Sequence, residues 1–556
     1  MSRLTLIALT CLAFVFFSQD LVGQSIPVHV HNTTVYDYLD EMANKGLIDI
    51  NSAVKPYSRK FVAQKLAEVE SQDSLLTKRQ KQELEFLMKD FGKDLNRFKG
   101  IDYIGKGLRN GNVFPFKNRT KKYDLFHYAD SLAQITINPL GGGTGWVNAN
   151  GFNYRRYAGA ELYGSVWRVG YYVNYRDFQE LKLISAAQHL TQRQGSFLKG
   201  VNGSPDTREF SDVRGGLTFE YNWIEVEIAK NHIVWGNAYN GSNIHSARNP
   251  SVPYFGLKLK PFKWFEIHYF HSWLSSDVLD SARSGPISGG DRQVFIPKFM
   301  AANLYTFRPV KKFYFSVGNS IIYDEQVQLA YWIPFLFWKS FDHSGSRNAN
   351  SQFFIDISSR NIKKLHLSFT FFVDELSFRR MFDRDAHTNW WSLKASARVT
   401  DLIPNFTFTA EYTRTNPMVY KHYNPTTTYE TTGYNLGHYL RDNAQEVFGQ
   451  VNWRPVRGLN AFVNYVFASK GNDYVDDRNA INPVTGDKFA RGLPFQDEII
   501  WRQHSVGVGV RYEITNGVHT SLRYNYLHIE DPYEYYTPDY FRNSAHNLSF
   551  SLNVGF

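Results

Sequence analysis

The sequence predicts an all-β transmembrane barrel of about 18 antiparallel strands with a small N-terminal α-helical domain. Segments of alternating apolar and polar residues recur from about residue 131 to the C-terminus. Short turns and long polar segments alternate between them, as in outer-membrane barrels. The mean hydropathy of −0.40 excludes a helical membrane bundle, whereas an aromatic content of 16% suits the aromatic girdles of a barrel.

The last ten residues, 547–556, show the alternation most clearly. Leu548, Phe550 and Leu552 alternate with serine and asparagine residues. Because successive side chains of a strand point to opposite faces, this strand has one apolar and one polar face. A final strand that ends on an aromatic residue resembles those of bacterial outer-membrane barrels. We expect it to close the barrel against the first strand, near residues 133–137.

The same alternation predicts the other strands. Their even number places both ends of the barrel on the short-turn side, which is the periplasm. A soluble β-sandwich is the alternative, but it does not require loop lengths to alternate. The Gly141-Gly142-Gly143 run is expected in the loop between the first two strands. The predicted strands are 131–138, 154–165, 167–177, 211–221, 224–234, 251–260, 264–274, 299–307, 312–323, 351–359, 364–374, 390–399, 404–414, 444–453, 459–468, 503–512, 518–528 and 545–556.

Residues 1–23 are typical of an export signal. Arg3 precedes an apolar run over 4–17, and small residues precede a cleavage site after Gly23. A transmembrane anchor is the alternative, but the run is too short to span a membrane comfortably. The one cysteine, Cys11, lies in this run, so we expect no disulfide or thiolate metal site in the mature protein.

Residues 24–128 are predicted to form a periplasmic helical domain with a connector, and residues 129–556 the outer-membrane barrel. Apolar residues recur at helical spacing after residue 35, and Ser58 and Thr77 are good N-caps for two further helices. Gln80 completes a capping box with Thr77. Residues 96–128 are rich in Lys and Arg and are expected to be irregular.

The formal net charge of +10 suggests an anionic partner, such as an acidic polysaccharide or lipid headgroups. Ordinary solubility together with basic turns is the alternative. A nucleic-acid partner is not expected for an exported protein.

Six short motifs occur along the chain. They are YLDEMANKGLI at 38–48, KPYSR at 55–59, WG at 235–236, SARNP at 246–250, YWIPF at 331–335 and EYTRTNP at 411–417. In this order they resemble the Wzi capsule-assembly family of outer-membrane proteins, and the resemblance covers nearly the whole chain after the signal segment. The last motif, residues 411–417, resembles the RemB-like version of the family found in gliding bacteria.

This resemblance implies an 18-stranded outer-membrane barrel with a helical bundle at its periplasmic end. It also implies a lectin-like role in holding capsular or exopolysaccharide at the cell surface, and we expect that role to be non-enzymatic. A RemB-like role in surface adhesion or gliding, with other surface or motility proteins as partners, is an alternative. A porin or transporter is another, and it requires an open lumen.

Sugar binding requires aromatic faces that stack on pyranose rings, with amides and guanidinium groups that bind hydroxyls. Two long loops, 235–250 and 415–443, supply these residue types. The alternative is that the same residues pack the loops over the barrel mouth or sit in the aromatic girdle. The candidate glycan-binding residues are Trp235, Tyr239, Asn240, Asn243, Arg248, Asn416, Tyr420, His422 and Arg441.

The apolar run 329–337 is expected to fold into the lumen as a plug through Tyr331, Trp332 and Phe335. The alternatives are that it extends a strand against lipid or forms an exposed partner site. No metal site or cofactor is predicted. The acidic residues of 472–479 lack the EF-hand spacing and suit a solvated loop. No catalytic motif is present, although a hydrolase site assembled on the barrel wall is not excluded by spacing.

Overall fold

The structure, a computed structural model, describes residues 25–97, 100–103, 124–201, 204–287, 290–342, 349–474 and 491–555. The predicted export signal, most of the predicted connector, Phe556 and part of the acidic 472–479 run lie outside the described residues. Within the described part of the chain, no helix combines the length and the apolar character needed to cross a membrane.

Eighteen antiparallel strands form one closed barrel, so the predicted fold class is confirmed. Each strand pairs with its neighbours along the chain, and the last strand pairs with the first. The strands are β1 Ala133–Asn148, β2 Gly151–Val166, β3 Val169–Glu180, β4 Ser204–Tyr221, β5 Ile224–Asn231, β6 Val252–Phe262, β7 Phe265–Leu274, β8 Lys298–Val310, β9 Phe313–Asp324, β10 Asn350–Ser359, β11 Leu365–Glu375, β12 Trp390–Thr400, β13 Phe406–Thr415, β14 Ala444–Trp453, β15 Leu459–Gly471, β16 Ile499–Thr515, β17 Val518–Glu530 and β18 His546–Val554.

The outer face of the barrel is apolar and the inner face is polar. On β16, Val506, Val508 and Val510 are exposed on the outside, whereas the alternate residues Gln503 and Ser505 line the lumen. This is the alternation that the sequence predicts. An exposed apolar belt of this kind is stable in the hydrocarbon of a membrane.

The barrel closes through the C-terminal half of β1. Residues 548–554 of β18 pair with 141–147, and not with 133–137 as predicted from sequence. Residues 134–137 pair instead with the short strand Phe126–Ala129, which in turn pairs with Gly100–Tyr103. The closing strand therefore joins β1 further from the short-turn end than expected.

The predicted loop over residues 139–153 is wrong, because Gly141-Gly142-Gly143 lies within β1. Glycine is depleted in strands, which is why the run reads as a loop. Here the run allows close approach of the neighbouring strand, since a Cβ added to Gly142 would lie 2.4 Å from the carbonyl oxygen of Leu552. A turn at 149–150 then leads into β2, so the first connection on the long-loop side is short.

In the described part of the chain before the barrel there are three α-helices, as predicted: α1 Thr33–Lys45, α2 Arg59–Glu70 and α3 Lys78–Phe91. Thr77 and Gln80 form the predicted capping box at the start of α3. Gly46 ends α1 with a φ of 84°, a conformation that favours glycine. Gly92 is the C-cap of α3, and a 3-10 turn, Gly92–Leu95, follows it.

The helices are attached to the short-turn end of the barrel by buried charges on α1. The carboxylate of Asp40 accepts hydrogen bonds from Arg360 at 2.7 Å and from Arg398 at 3.0 Å. Glu41 lies 3.0 Å from Arg454. All three arginines lie at or near the short-turn ends of strands, so the helical segment occupies that mouth of the barrel.

The closing strand allows a test of which face contacts lipid. Phe550→Lys is expected to impair assembly, because a lysine on the lipid face near the bilayer midplane costs about 2–4 kcal/mol. Ser549→Lys is expected to be tolerated, because Ser549 faces the lumen. The folded fraction is measured by heat-modifiable migration in detergent gels. Equal folded fractions for the two variants would contradict this assignment of faces.

Candidate functional site: a luminal cavity

The loop between β5 and β6, residues 232–251, folds into the lumen. Its backbone binds carboxylates on the inner wall: the Asn237 N–H donates to Asp356 at 2.8 Å, and the Tyr239 and Asn240 N–H groups donate to Glu411 at 2.8 and 2.7 Å. Although β10 and β13 are far from this loop in sequence, they supply its hydrogen-bond acceptors.

The same loop meets the N-terminal segment inside the barrel. Val54 pairs with Trp235, and the Gly236 N–H donates to the Ala53 carbonyl oxygen at 2.8 Å. The Trp235 ring packs edge-on against Phe270, with ring centroids 4.8 Å apart. One side of the lumen is therefore filled from both ends of the barrel.

The loop between β13 and β14, residues 416–443, covers the infolded loop. The Tyr420 hydroxyl donates to the Asn243 carbonyl oxygen at 2.6 Å, and the Tyr429 hydroxyl donates to the Ile244 carbonyl oxygen at 3.0 Å. The two loops predicted to carry a glycan surface thus pack against each other.

This packing determines where the predicted glycan-binding residues lie. Most of them hold the loops together, and their contact with a glycan stays a prediction. Arg248, for example, donates to the Thr191 carbonyl oxygen at 2.6 Å, and Arg441 donates to the Gly433 carbonyl oxygen at 2.8 Å. The buried members are Trp235, Asn243, Arg248, Asn416 and Tyr420; the half-buried members are Tyr239, Asn240, His422 and Arg441.

The predicted lumen plug of Tyr331, Trp332 and Phe335 is wrong. Phe270 meets Trp235 in the lumen, so its neighbours on β7, Tyr269 and His271, point outward. The Tyr269 hydroxyl donates to the Tyr331 carbonyl oxygen at 2.8 Å, and the Trp332 ring stacks on His271 at 4.7 Å. The segment therefore packs on the outside of the barrel, because its apolar side chains suit the lipid-facing wall better than the polar lumen.

The other side of the lumen holds a cavity of about 620 Å³. It extends from α1, at Thr33 and Asp37, along the inner faces of β14 to β18, to the loop after β17 at Tyr536 and Phe541. Of the predicted glycan-binding residues, Tyr239 and Asn240 line this cavity.

The cavity wall combines the residue types that bind sugars. Amides can donate to and accept from hydroxyl groups, and aromatic rings can stack on pyranose faces. The lining amides are Gln192, Asn240, Gln450, Asn460, Asn464, Gln503, Asn525 and Asn547, and the lining aromatic residues are Trp146, Tyr239, Tyr439, Phe448, Phe462, Trp501, Tyr536 and Phe541.

Two arginines give the cavity a positive region. Arg523 donates to Asn525 at 2.8 Å and to Asn464 at 3.2 Å, and the Arg193 guanidinium lies 4.6 Å from the centroid of the Phe541 ring. Among the described residues neither arginine forms a salt bridge with a carboxylate. Burial, and then the neighbouring Arg155 and Arg523, lowers the pKa of Arg193 to about 10, so this group stays charged at neutral pH.

The remaining charges of the cavity are already paired. Asp37, the carboxylate among the lining residues, lies 3.3 Å from Arg398 and 3.6 Å from Arg511. Among the described residues, the lining thus lacks the pair of carboxylates that most glycoside hydrolases use. Elsewhere in the described part of the chain, no group of three or more His, Cys, Asp or Glu side chains is placed to hold a metal ion.

The barrel is similar to solved outer-membrane proteins. One is Wzi, an outer membrane protein involved in group 1 capsule assembly in Escherichia coli and a carbohydrate-binding β-barrel (TM-score 0.55, 12% identity, 96% of this chain and 99% of that chain). The fold is that of an outer-membrane barrel. Other matches are OprD of Pseudomonas aeruginosa (TM-score 0.39, 10% identity, 76% and 92% of the chains) and OccAB3 of Acinetobacter baumannii (TM-score 0.41, 9% identity, 76% and 99%).

No protein-family model and no curated protein sequence matches this chain. The closed barrel and its apolar outer face place the chain in the outer membrane. The RemB-like character of residues 411–417 stays a prediction.

Proposed function

We propose that this barrel binds segments of an anionic polysaccharide in its luminal cavity and so holds capsular or exopolysaccharide at the cell surface. The observation that carries the proposal is the pair Arg193 and Arg523, which lies among lining amides and aromatic rings and has no carboxylate partner among the described residues. Guanidinium groups bind carboxylate, sulfate or phosphate substituents through charge-assisted hydrogen bonds. The similarity in fold to a carbohydrate-binding barrel agrees with this proposal.

The proposed role is binding without catalysis. Asp37 is held by two arginines, so it is poorly placed to act as a general acid or base. The lining contains no second carboxylate to work with it. A role in surface adhesion or gliding, through other surface proteins, rests on the sequence resemblance alone.

A matched pair of ligands tests the proposal. An acidic polysaccharide and the same polymer with its carboxylates reduced to alcohols are titrated against the detergent-purified barrel, with tryptophan fluorescence as the readout. We expect the acidic form to bind at least about tenfold more tightly at low salt, with the difference shrinking as salt screens the charges. Equal affinity for the two polymers, or binding to neither, would contradict the proposal.

A further inference from the structure

The segment after β9, residues 327–338, lies on the outer face of the barrel and is here called the outer-face segment. It contains a 3-10 helix, Leu329–Trp332, and crosses the outward side chains of β6 to β9. It reaches as far as Tyr305, the eighth of the 13 residues of β8, where the Tyr305 hydroxyl donates to the Pro334 carbonyl oxygen at 3.0 Å. It therefore extends well down the lipid-facing wall.

The segment shields part of this wall completely. Ala301 and Ile321 point outward from β8 and β9, yet both are 0% exposed. On the opposite side of the barrel, the outward residues Leu522 and Phe550 are 55% and 53% exposed. The outer-face segment accounts for the difference, because Ala301 and Ile321 belong to the same apolar cluster as Tyr331.

Polar side chains on the wall bind the backbone of the segment. Asn303 points outward from β8 and donates to the carbonyl oxygens of Pro334 at 3.2 Å and Leu336 at 3.0 Å. The Trp338 N–H donates to Asn319 at 3.0 Å, and Asn319 donates to Asn303 at 2.7 Å. In hydrocarbon every backbone polar group must be satisfied within the protein. Asn303 and Asn319 meet this requirement for the Pro334 and Leu336 carbonyl oxygens and the Trp338 N–H.

The other side of the segment is apolar and exposed. Residues 327–338 contain no charged residue. Leu329 is 82% exposed and Phe335 is 59% exposed, with Ile333 and Phe337 also exposed. A protein–protein interface usually has a polar rim around its apolar core. Here the exposed side chains continue the apolar belt of the barrel instead.

We propose that the outer-face segment is embedded in the outer leaflet, where its exposed side chains contact the acyl chains of the membrane lipids. The segment widens the lipid-contacting surface on one side of the barrel and fixes the extracellular loop to the wall through Asn303 and Asn319. This inference does not depend on the proposed glycan binding.

Spin-label accessibility in phosphatidylcholine vesicles tests the proposal. Phe335→Cys is labelled in a chain in which Cys11, the one cysteine of the sequence, is replaced by serine. Leu522→Cys is the lipid-facing control, and Phe382→Cys, which is 92% exposed in the charged loop after β11, is the aqueous control. Ile333→Cys provides a second reporter if Phe335→Cys folds poorly.

We expect the labels at 335 and 333 to behave like the label at 522, with high accessibility to oxygen and low accessibility to a water-soluble nickel chelate. Accessibility like that at 382 would overturn the proposal. Photo-crosslinking from position 335 in native outer membranes should give lipid adducts. A specific protein adduct would show that a partner protein occupies this surface, and that result would also overturn the proposal.

Discussion

Replacing Asp40 by alanine is expected to release α1 from the barrel wall. The change leaves Arg360 and Arg398 buried without their shared carboxylate, and breaking a buried ion pair from one side costs about 3–5 kcal/mol. Burial alone would raise the pKa of Asp40, but Arg398 and Arg360 bring it below the ordinary value for aspartate. The carboxylate is therefore ionised at neutral pH. Its stabilising effect is lost only as the pH falls below about 4.

Hydrogen exchange of residues 33–45 measures the release. Their amide exchange in Asp40→Ala should be faster by about a hundredfold or more, as expected for a loss of this size. Single-channel recordings should show larger conductance, because the helices occupy one mouth of the lumen. Asp73→Ala is the matched control, since the Asp73 side chain is 56% exposed. Unchanged exchange in Asp40→Ala would show that these ion pairs do not hold the segment.

Replacing both Arg193 and Arg523 by glutamine is expected to lower the affinity for an acidic polysaccharide by about a hundredfold. Each hydrogen bond to a charged group contributes about 1.5–3 kcal/mol. Glutamine keeps hydrogen-bonding capacity but removes the charge. The salt dependence of binding should weaken in parallel, because the charges that salt screens are gone.

The control for this double variant is Arg283→Gln, which removes one positive charge outside the cavity. Arg283 lies in the loop between β7 and β8, where it pairs with Asp280. Its substitution should leave the affinity unchanged. Loss of affinity in both variants would indicate attraction by net charge and not a luminal site. Affinity for the carboxyl-reduced polymer should be nearly the same in all of these proteins.

The sequence predicted the wall of the barrel well, because strand periodicity is a local property. Each of the eighteen predicted segments overlaps an observed strand. The same alternation also indicates which strand residues face the cavity. Asn460 and Asn464 on β15 line it and alternate with outward residues such as Val463. The predicted glycan-binding residues all lie in long loops, so the prediction did not include these strand residues.

The routes of the long loops could not be predicted, because they depend on contacts between distant residues. Glu411 reads from sequence as a polar lumen residue, yet it binds the backbone of Tyr239, 172 positions away. Asn303 and Asn319 bind the backbone of the outer-face segment, but the sequence alone does not show that both side chains point outward. The Gly141–Gly143 run was assigned to a loop for the same reason, because the need for glycine comes from neighbouring strands: a Cβ at Gly142 would meet β18, and one at Gly143 would meet β2.

The seam between β1 and β18 has a consequence for the order of folding. Every other strand pair of the barrel joins neighbours in the chain, whereas the seam joins residues about 400 positions apart, such as Val147 and Leu548. Contacts between such distant residues form slowly, so we expect the seam to be the last strand pair to form. The helices at the mouth of the ring precede every strand in the chain. The helical segment that occupies this mouth is therefore made before the wall of the barrel.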